Sequence, residues 1–214
     1  LISIKYAGSP WELGIAETHQ VLVQNELRSR VVLRTDGGLQ TGRDVVVAAL
    51  LGAEEFGFGT MAMVAVGCTI ARQCHLNTCP TGIATQAPEL RKKFTGTPEQ
   101  LIRYLFFVAD EVRGIMASLG FRTMDEMIGR SDLLEQVGLE AGAKGSTLDL
   151  SRLLALPDPS GALPRRHLQE RNDRPGDTPL DDELLPLVQH AIDGKSPARV
   201  EMPIRNMHRT VGAL

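Results

Sequence analysis

The stretch VVLRTDGGLQTGRDVVVAALLGAEEFGFGT, residues 31–60, decides the fold class. It opens on a β-branched run, Val31-Val-Leu-Arg-Thr35, which reads as a strand. Asp36-Gly37-Gly38 then turns the chain. Thr41 stands where it caps a helix from Gly42 to about Leu51, with Gly52 at the residue after its end. Glu54-Glu-Phe-Gly-Phe58 reads as a second strand, and Gly59-Thr60 opens a further helix through Val66. Strand, helix, strand, helix, joined by short connections, is the pattern of βα units around a parallel sheet. The fold class expected is therefore α/β.

Upstream, Ser9-Pro10-Trp11-Glu12 has the form of a capping box and predicts a helix ending near Leu27. Downstream, Ala87 to Gly96 reads as a turn or short helix. Thr97-Pro98-Glu99-Gln100 is a second capping box, opening a long helix that Gly120 stops after Leu119. Ile102, Leu105, Phe106, Ala109, Val112 and Met116 form its expected apolar stripe. Thr123-Met-Asp-Glu126 is a third box, and helical character returns over Ser131–Val137. Gly, Ala, Pro, Asp and Arg dominate from about residue 138 to about 180, and Pro157 to Pro179 reads as an extended linker. A helix over Asp181–Asp193 and a short strand at Val200-Glu-Met-Pro-Ile204 follow. The domain reading is a main unit over 1–135, a linker with short helices over 136–198, and the start of another domain over 199–214.

Apolar residues make up 43% of the 214-residue chain and charged residues 23%, the balance of a soluble globular protein with a real core. A net charge of −3 and few aromatics argue against nucleic acid or an anionic membrane as partner. No apolar run approaches the roughly eighteen residues of a spanning helix. Leu1-Ile-Ser-Ile-Lys5 lacks the layout of a signal peptide. The absence of an initial Met suggests a piece of a longer polypeptide. Three cysteines without a targeting signal point to a reducing compartment, and so to the cytoplasm.

In α/β sheets ligands bind at the carboxyl ends of the strands, and both strands here end in glycine. Gly37 and Gly38 let backbone N–H groups approach an anion. Gly57-Phe58-Gly59-Thr60 offers the same from the next strand, and the helix beginning near Thr41 adds a partial positive end. Tight turning alone is the competing reading. Asp36 is either a turn former or an acceptor for a ligand hydroxyl.

All three cysteines fall in Cys68-Thr-Ile-Ala-Arg-Gln-Cys74-His-Leu-Asn-Thr-Cys79-Pro80. Thiolates select zinc, copper(I) or iron–sulfur clusters. Zinc favours CxxC pairs and four ligands, whereas five and four residues separate these cysteines. Cys-Pro endings recur in iron–sulfur loops, and three thiols match a cluster of three irons. Packing as small hydrophobes, or a structural zinc site, are the alternatives. Asn77, Thr78 and the backbone N–H groups of the loop are expected to donate to bound sulfide.

Asp36-Gly-Gly-Leu-Gln-Thr-Gly42-Arg-Asp44, Leu51-Gly-Ala and Gly57-Phe-Gly-Thr60 resemble the last two βα units of FMN-dependent (β/α)8 TIM barrels, whose loops hold the flavin phosphate. Ser9-Pro-Trp-Glu-Leu-Gly-Ile-Ala-Glu-Thr-His19, Leu50-Leu-Gly-Ala-Glu-Glu-Phe-Gly-Phe-Gly59 and Cys74-His-Leu-Asn-Thr-Cys-Pro80 are similar, in the same order, to the glutamate synthase large-subunit family. The likeness runs from residue 1 to about 135. Beyond 138 it is weak, although Ile204-Arg-Asn206 through Gly212 resembles the start of that family's C-terminal β-helix domain.

The resemblance implies the C-terminal part of a TIM barrel with an iron–sulfur loop, a helical extension and a linker toward a β-helix domain. It implies FMN held by Asp36, Gly37, Gly38, Gly57, Gly59 and Thr60, and a 3Fe–4S cluster on Cys68, Cys74 and Cys79. The implied reaction makes L-glutamate from 2-oxoglutarate and glutamine-derived ammonia. Electrons would come from an NADPH-dependent flavoprotein subunit or from ferredoxin, in the cytoplasm or a plastid stroma. A related flavoprotein of other substrate is the neighbouring possibility. Catalytic residues are expected outside this sequence. With at most two of eight barrel strands, the chain alone is expected to be inactive.

The remaining candidates have plain readings. Glu17 and His19 do not share a helix face. Trp11 reads as a packing anchor, Met61 and Met63 as core, and His75 as a surface residue or one that supports the sulfur ligands. Arg72 and Gln73, between two cysteines, have no orientation the sequence sets. Arg91-Lys-Lys93 is a solvated basic run or a place to receive an acidic electron donor.

Overall fold

A computed structural model describes residues 8–138, 142–143, 145–171 and 179–212. Leu1–Lys5, and 172–178 of the expected linker, lie outside them. The chain divides into two compact units, Leu1–Glu170 and Arg171–Leu214.

In the first unit, helix α1 spans Trp11–Gln24. Pro10 keeps an extended ψ of 147° and is itself the N-cap, so Ser9 does not cap and the expected box is absent. Glu12 still places its charge in the first turn, where the helix dipole favours it. The helix ends at Gln24, short of Leu27. A 3-10 turn at Arg28–Arg30 leads to β1, Arg34–Thr35. Helix α2 covers Gly42–Leu50, and β2 is Glu55–Phe56. The two strands pair in parallel, Arg34 with Glu55 and Thr35 with Phe56, so the βα organisation holds. Both strands are shorter than expected, because the ladder ends where the chain turns at Asp36 and Gly57. Val31 and Val32 remain outside it and largely exposed.

Helix α3 spans Thr60–Ala65, α4 Pro88–Arg91 and α5 Pro98–Leu119. Thr97 and Gln100 close a reciprocal capping box, and Gly120 takes the left-handed conformation (φ 82°) that ends α5. Helix α6 is Met124–Met127. Its expected box is replaced: the Glu126 carboxylate accepts the N–H of Arg122, and Thr123 caps nothing. A 3-10 turn at Ser131–Leu133 stands where a helix to Val137 was expected, and α7 is Ser151–Leu154.

Helix α2 is apolar nearly all round because it is packed on two sides. Val45, Val46, Ala49 and Leu50 meet Val108, Val112 and Met116 of α5 and Met127 of α6. Ala48 and Leu51 meet Ile15 and Ala16 of α1, with Leu33 and Ala53. Each fully buried Val or Met contributes about 1.5–3 kcal/mol. The buried stripe of α5 is therefore Val108, Val112 and Met116, at four-residue spacing. Ile102, Leu105, Phe106 and Ala109 lie off that line and are exposed, correcting the wider stripe. Met63 is exposed and Met61 half-buried, so neither is core.

A buried polar hub fixes the ends of these elements. Arg28 is 1% exposed. Its Nε–H donates to His19 Nδ1, Nη1 to the Val31 carbonyl, and Nη2 to the Gly52 carbonyl and the Glu54 carboxylate (2.7 Å). Glu54 also accepts the N–H of Leu33 and of His167. The Ser29 carbonyl accepts the N–H of Leu168 and Gln169. Residues 167–169 thus have no helix or strand yet are held to the first unit. A side chain at Gly52 (φ 113°) would run into the His19 ring, so glycine is required there. His19 is buried as a packing residue and Glu17 is exposed, on separate faces as expected. Burial, then the charges of Arg28 and Arg165, push the His19 pKa down from 6.5 to about 4, against the pull of Glu54.

In the second unit α8 runs Leu180–Gly194, ending at Lys195 in the left-handed region. Asp181, Asp182 and Glu183 lie in its first turn, and Asp181 accepts the N–H of Gly212 (2.8 Å). Residues 200–204 form no strand, unlike the sequence expectation. Among the described residues no helix is long and apolar enough to cross a membrane.

Candidate functional site

Because β1 and β2 are parallel and in register, their glycine turns leave the sheet at the same edge. Asp36 follows Thr35, Gly57 follows Phe56, and the two residues touch: a Cβ on Gly57 would lie 2.6 Å from Asp36 Oδ2. The N–H of Gly37 donates to Asp36 Oδ1 (2.6 Å), so Asp36 shapes the turn. Gly37 and Gly38 have φ of 140° and 98°, and Trp11 backs Gly37 from the start of α1. A Cβ added at Gly38 or Gly59 would meet nothing within 4 Å. Gly59 is the N-cap of α3 and no side chain caps that end. The six residues Asp36, Gly37, Gly38, Gly57, Gly59 and Thr60 therefore lie on two turns at one edge, with open space in front of Gly38 and Gly59.

The N-terminus of α2 does not add to this corner. Asp44 Oδ2 accepts the N–H of Gln40 and Thr41, Thr41 Oγ1 accepts the N–H of Asp44, and Glu111 of α5 accepts the N–H of Gly42 (2.7 Å). The Asp44 and Glu111 carboxylates thus stand at this helix start and offset its dipole. The expected positive end is thus taken, whereas the backbone at Gly38 and Gly59 faces open space.

Helix α5 braces both turns. The Tyr104 hydroxyl donates to the Gln40 carbonyl (2.9 Å), and its ring meets Phe58 edge-on at 6.0 Å. Sequence reasoning missed Tyr104 and Glu111, which read only as members of a helix.

The cysteine loop follows α3. Residues 69–78 are exposed throughout. Ile70, Arg72 and Asn77 have φ of 57°, 56° and 59°, a region that costs a β-branched residue most. Cys79 is buried, Cys68 half-buried and Cys74 exposed, all as free thiols. Cys68 Sγ accepts the N–H of Ile70 (3.4 Å). Cys79 Sγ lies 3.4 Å from the Thr81 hydroxyl. The Ala84 N–H, the Thr81 hydroxyl and the N–H groups of Thr81 and Ile83 stabilise its thiolate, while burial opposes them; the net effect holds its pKa down to about 6. Donors to sulfur thus come mainly from the turn after Cys79. Asn77 and Thr78 do other work: Asn77 Oδ1 accepts from Thr85 and Gln86, and Thr78 donates to Gln73.

Such a nest of N–H groups suits an anionic sulfur centre, and the three-thiol donor set suits iron–sulfur chemistry. Among the described residues, however, no three of His, Cys, Asp and Glu stand together as a ready metal-holding group. His75 is exposed, as expected of a surface residue.

The family described as the conserved region in glutamate synthase matches residues 1–122. The chain is 53% identical over 214 residues to the glutamate synthase [NADH] of Schizosaccharomyces pombe, aligning 98% of this chain. It is 52% identical to the glutamate synthase [NADPH] large chain of Bacillus subtilis, with 99% aligned. It is 46% identical to the chloroplastic ferredoxin-dependent glutamate synthase of Spinacia oleracea, with 98% aligned. It spans only 10%, 14% and 13% of those three proteins.

Proposed function

This chain belongs to the glutamate synthase family, and from that premise we propose that it forms the cofactor-holding corner of an oxidoreductase that makes L-glutamate. The substrates are 2-oxoglutarate and ammonia derived from glutamine. The observation that carries the reading is the meeting of two open glycine turns at one edge of a parallel pair, with a thiol loop beginning eight residues after Thr60. On this reading β1 and β2 are two strands of a TIM barrel that other parts of the parent protein complete. The expected linker and the start of a β-helix domain after it belong to the same proposal.

Gly38, Gly59 and Thr60 present backbone N–H groups to the FMN phosphate, and Gly37 and Gly57 keep side chains out of the way. Asp36 Oδ1 holds the turn, and Oδ2 is the oxygen placed to accept from a flavin hydroxyl. Cys68, Cys74 and Cys79 hold the 3Fe–4S cluster, with Thr81, Ile83 and Ala84 donating around Cys79. When bound, the cluster passes single electrons and the flavin delivers a hydride. The electrons come from an NADPH-dependent flavoprotein subunit or from ferredoxin. The working compartment is the cytoplasm, or the plastid stroma in plants and algae.

The test uses the full-length protein. A Cβ at Gly59 meets open space, and Gly59 has negative φ (−97°), so Gly59→Asp leaves the fold intact while placing a carboxylate against the phosphate. Gly59→Asp is expected to be purified without FMN and without glutamate formation, while Gly59→Ala keeps most of both. Full flavin content in Gly59→Asp would overturn the phosphate assignment. Wild-type protein that makes no glutamate from 2-oxoglutarate, glutamine and a reduced donor would overturn the reaction.

A further inference from the structure

We propose that Arg34 and Glu55 form a charged pair on the inner face of the two strands, beneath the glycine corner, and that this pair sets the redox potential of the flavin seated there. This rests on the reading of the two turns as the FMN phosphate site and of β1 and β2 as barrel strands.

The first observation is the face on which the two residues stand. Successive side chains of a strand alternate between its two faces. Leu33 and Thr35 are buried, and Leu33 packs with Ile15 and Ala16 of α1 and with Ala48 and Leu51 of α2. Phe56 packs against the same helix layer. Arg34 and Glu55 alternate with these residues and so lie on the face away from the helices, where their side chains are 71% and 48% exposed. In a barrel that face is the inside. Two residues further along it come Asp36 and Gly57, which touch at the corner. Arg34 and Glu55 are therefore one pleat repeat, about 7 Å, below the turns.

The second observation is that the two residues are matched. Their Cα atoms are direct partners in the parallel ladder. Arg34 Nε–H donates to Glu55 Oε2 (2.7 Å), and Nη2 reaches the same oxygen. Among the described residues neither side chain makes a hydrogen bond to any third group. Most of the five guanidinium donors, and one carboxylate oxygen, are thus left for whatever occupies the inner face.

Stability does not account for such a pair. An exposed ion pair adds little, and one enclosed in a barrel rarely repays its desolvation. Barrel interiors are ordinarily filled by branched apolar side chains, and polar groups that serve the reaction stand at the carboxyl ends of the strands. Arg34 and Glu55 stand at those ends. Shielded from bulk water by a closed barrel, their charges act more strongly than at a surface. A flavin that takes up two electrons and one proton becomes an anion. A guanidinium beside it favours this reduced form, and a carboxylate beside it favours the oxidised form. Set against each other, Arg34 and Glu55 hold the potential between those limits, and no bond between the pair and the flavin forms or breaks.

The experiment is a spectroelectrochemical titration of the flavin in full-length holoenzyme. Arg34→Gln should lower the midpoint potential and Glu55→Gln should raise it. Each should change the ratio of reduced to oxidised flavin at least tenfold at a fixed poise, which is about 30 mV for a two-electron couple. Arg34→Lys, which keeps the charge, should stay near wild type. So should the double variant Arg34→Gln/Glu55→Gln, which removes both charges. FMN content should match wild type in all four, because the pair lies below the phosphate turns. Either single variant carries a sign of its own, so failure of one to fold leaves the other as the test. Unchanged potentials, or shifts of the same sign in the two single variants, would overturn the proposal and leave the pair a lock on strand register. Loss of flavin from a folded Arg34→Gln or Glu55→Gln would overturn it too, by making the pair part of the flavin's grip. Wild-type protein lacking FMN altogether would instead remove the flavin reading on which the pair's role rests.

Discussion

Arg28 and Cys79 sit at the centres of two regions of the same unit, and their surroundings are built on opposite terms. Around Arg28 the guanidinium, Glu54 and the adjoining carbonyls are bonded to one another, buried and supported by glycines that admit no alternative. Around Cys79 the chain is exposed, three non-glycine residues are in the left-handed region, and N–H groups converge on a sulfur. The first region holds the ends of α1, β1 and β2 in place. The second carries strain and donors that packing alone does not need. Substitutions should therefore cost much in the hub and little in the loop, if function rather than stability shapes the loop.

The largest effect is expected for Glu54→Ala. It leaves Arg28 charged, buried and without its carboxylate, which costs about 3–5 kcal/mol. Hydrogen exchange of the full-length protein should show protection lost at residues 28–33 and 165–169. Glu54→Gln, which still accepts hydrogen bonds, should lose less. Equal protection in Glu54→Ala and wild type would remove the hub from the account.

His19 gives the next effect through pH. Its pKa is about 4 in the folded chain against 6.5 for an ordinary histidine. The unfolded chain thus binds the extra proton first, so stability falls as pH drops from about 6.5 to about 4 and loses nothing further below that from this group. A shift of this size is worth about 3 kcal/mol. Local exchange measured across that pH range, in wild type and His19→Gln, isolates the contribution; identical slopes in the two would contradict it.

Tyr104→Phe should cost about 1 kcal/mol, the value of one hydrogen bond, because the ring contact with Phe58 remains. The change should appear as faster exchange over residues 38–42, and its absence there would mean that α5 does not brace the turn. The smallest effect, and the one of opposite sign, belongs to Ile70→Gly. Glycine accepts φ of 57° without strain, and the gain net of its own entropy is about 0.5 kcal/mol. Destabilisation by this change would show that the Ile70 side chain makes contacts worth more than the backbone strain it causes.

The same contrast explains what could be read in advance. The boundaries of α5 were legible because Thr97, Gln100 and Gly120 are local signals whose chemistry is complete within a few residues. The glycine corner was legible because Asp36-Gly-Gly and Gly57-Phe-Gly follow two strands that had to be parallel. The hub was not, since Arg28 and Glu54 are 26 residues apart and neither belongs to a periodic pattern. The start of α2 was legible from Thr41 and Gly42, but its charge balance was not, because the carboxylate that satisfies Gly42 comes from Glu111, 69 residues away. Ser9 failed as a cap because Pro10 took the cap position itself. In the loop the cysteines were conspicuous, but the donors to Cys79 come from the residues after it, where no motif marks them.

The central claim is that the strained loop exists to hold a three-iron cluster on Cys68, Cys74 and Cys79. It is tested most directly by iron and acid-labile sulfide analysis with electron paramagnetic resonance on oxidised full-length protein. The account predicts iron and sulfide in a ratio of about three to four. It also predicts an unpaired-spin signal that disappears in Cys68→Ser, Cys74→Ser and Cys79→Ser alike. Zinc in place of iron, or a signal that survives any one of the three substitutions, would contradict it.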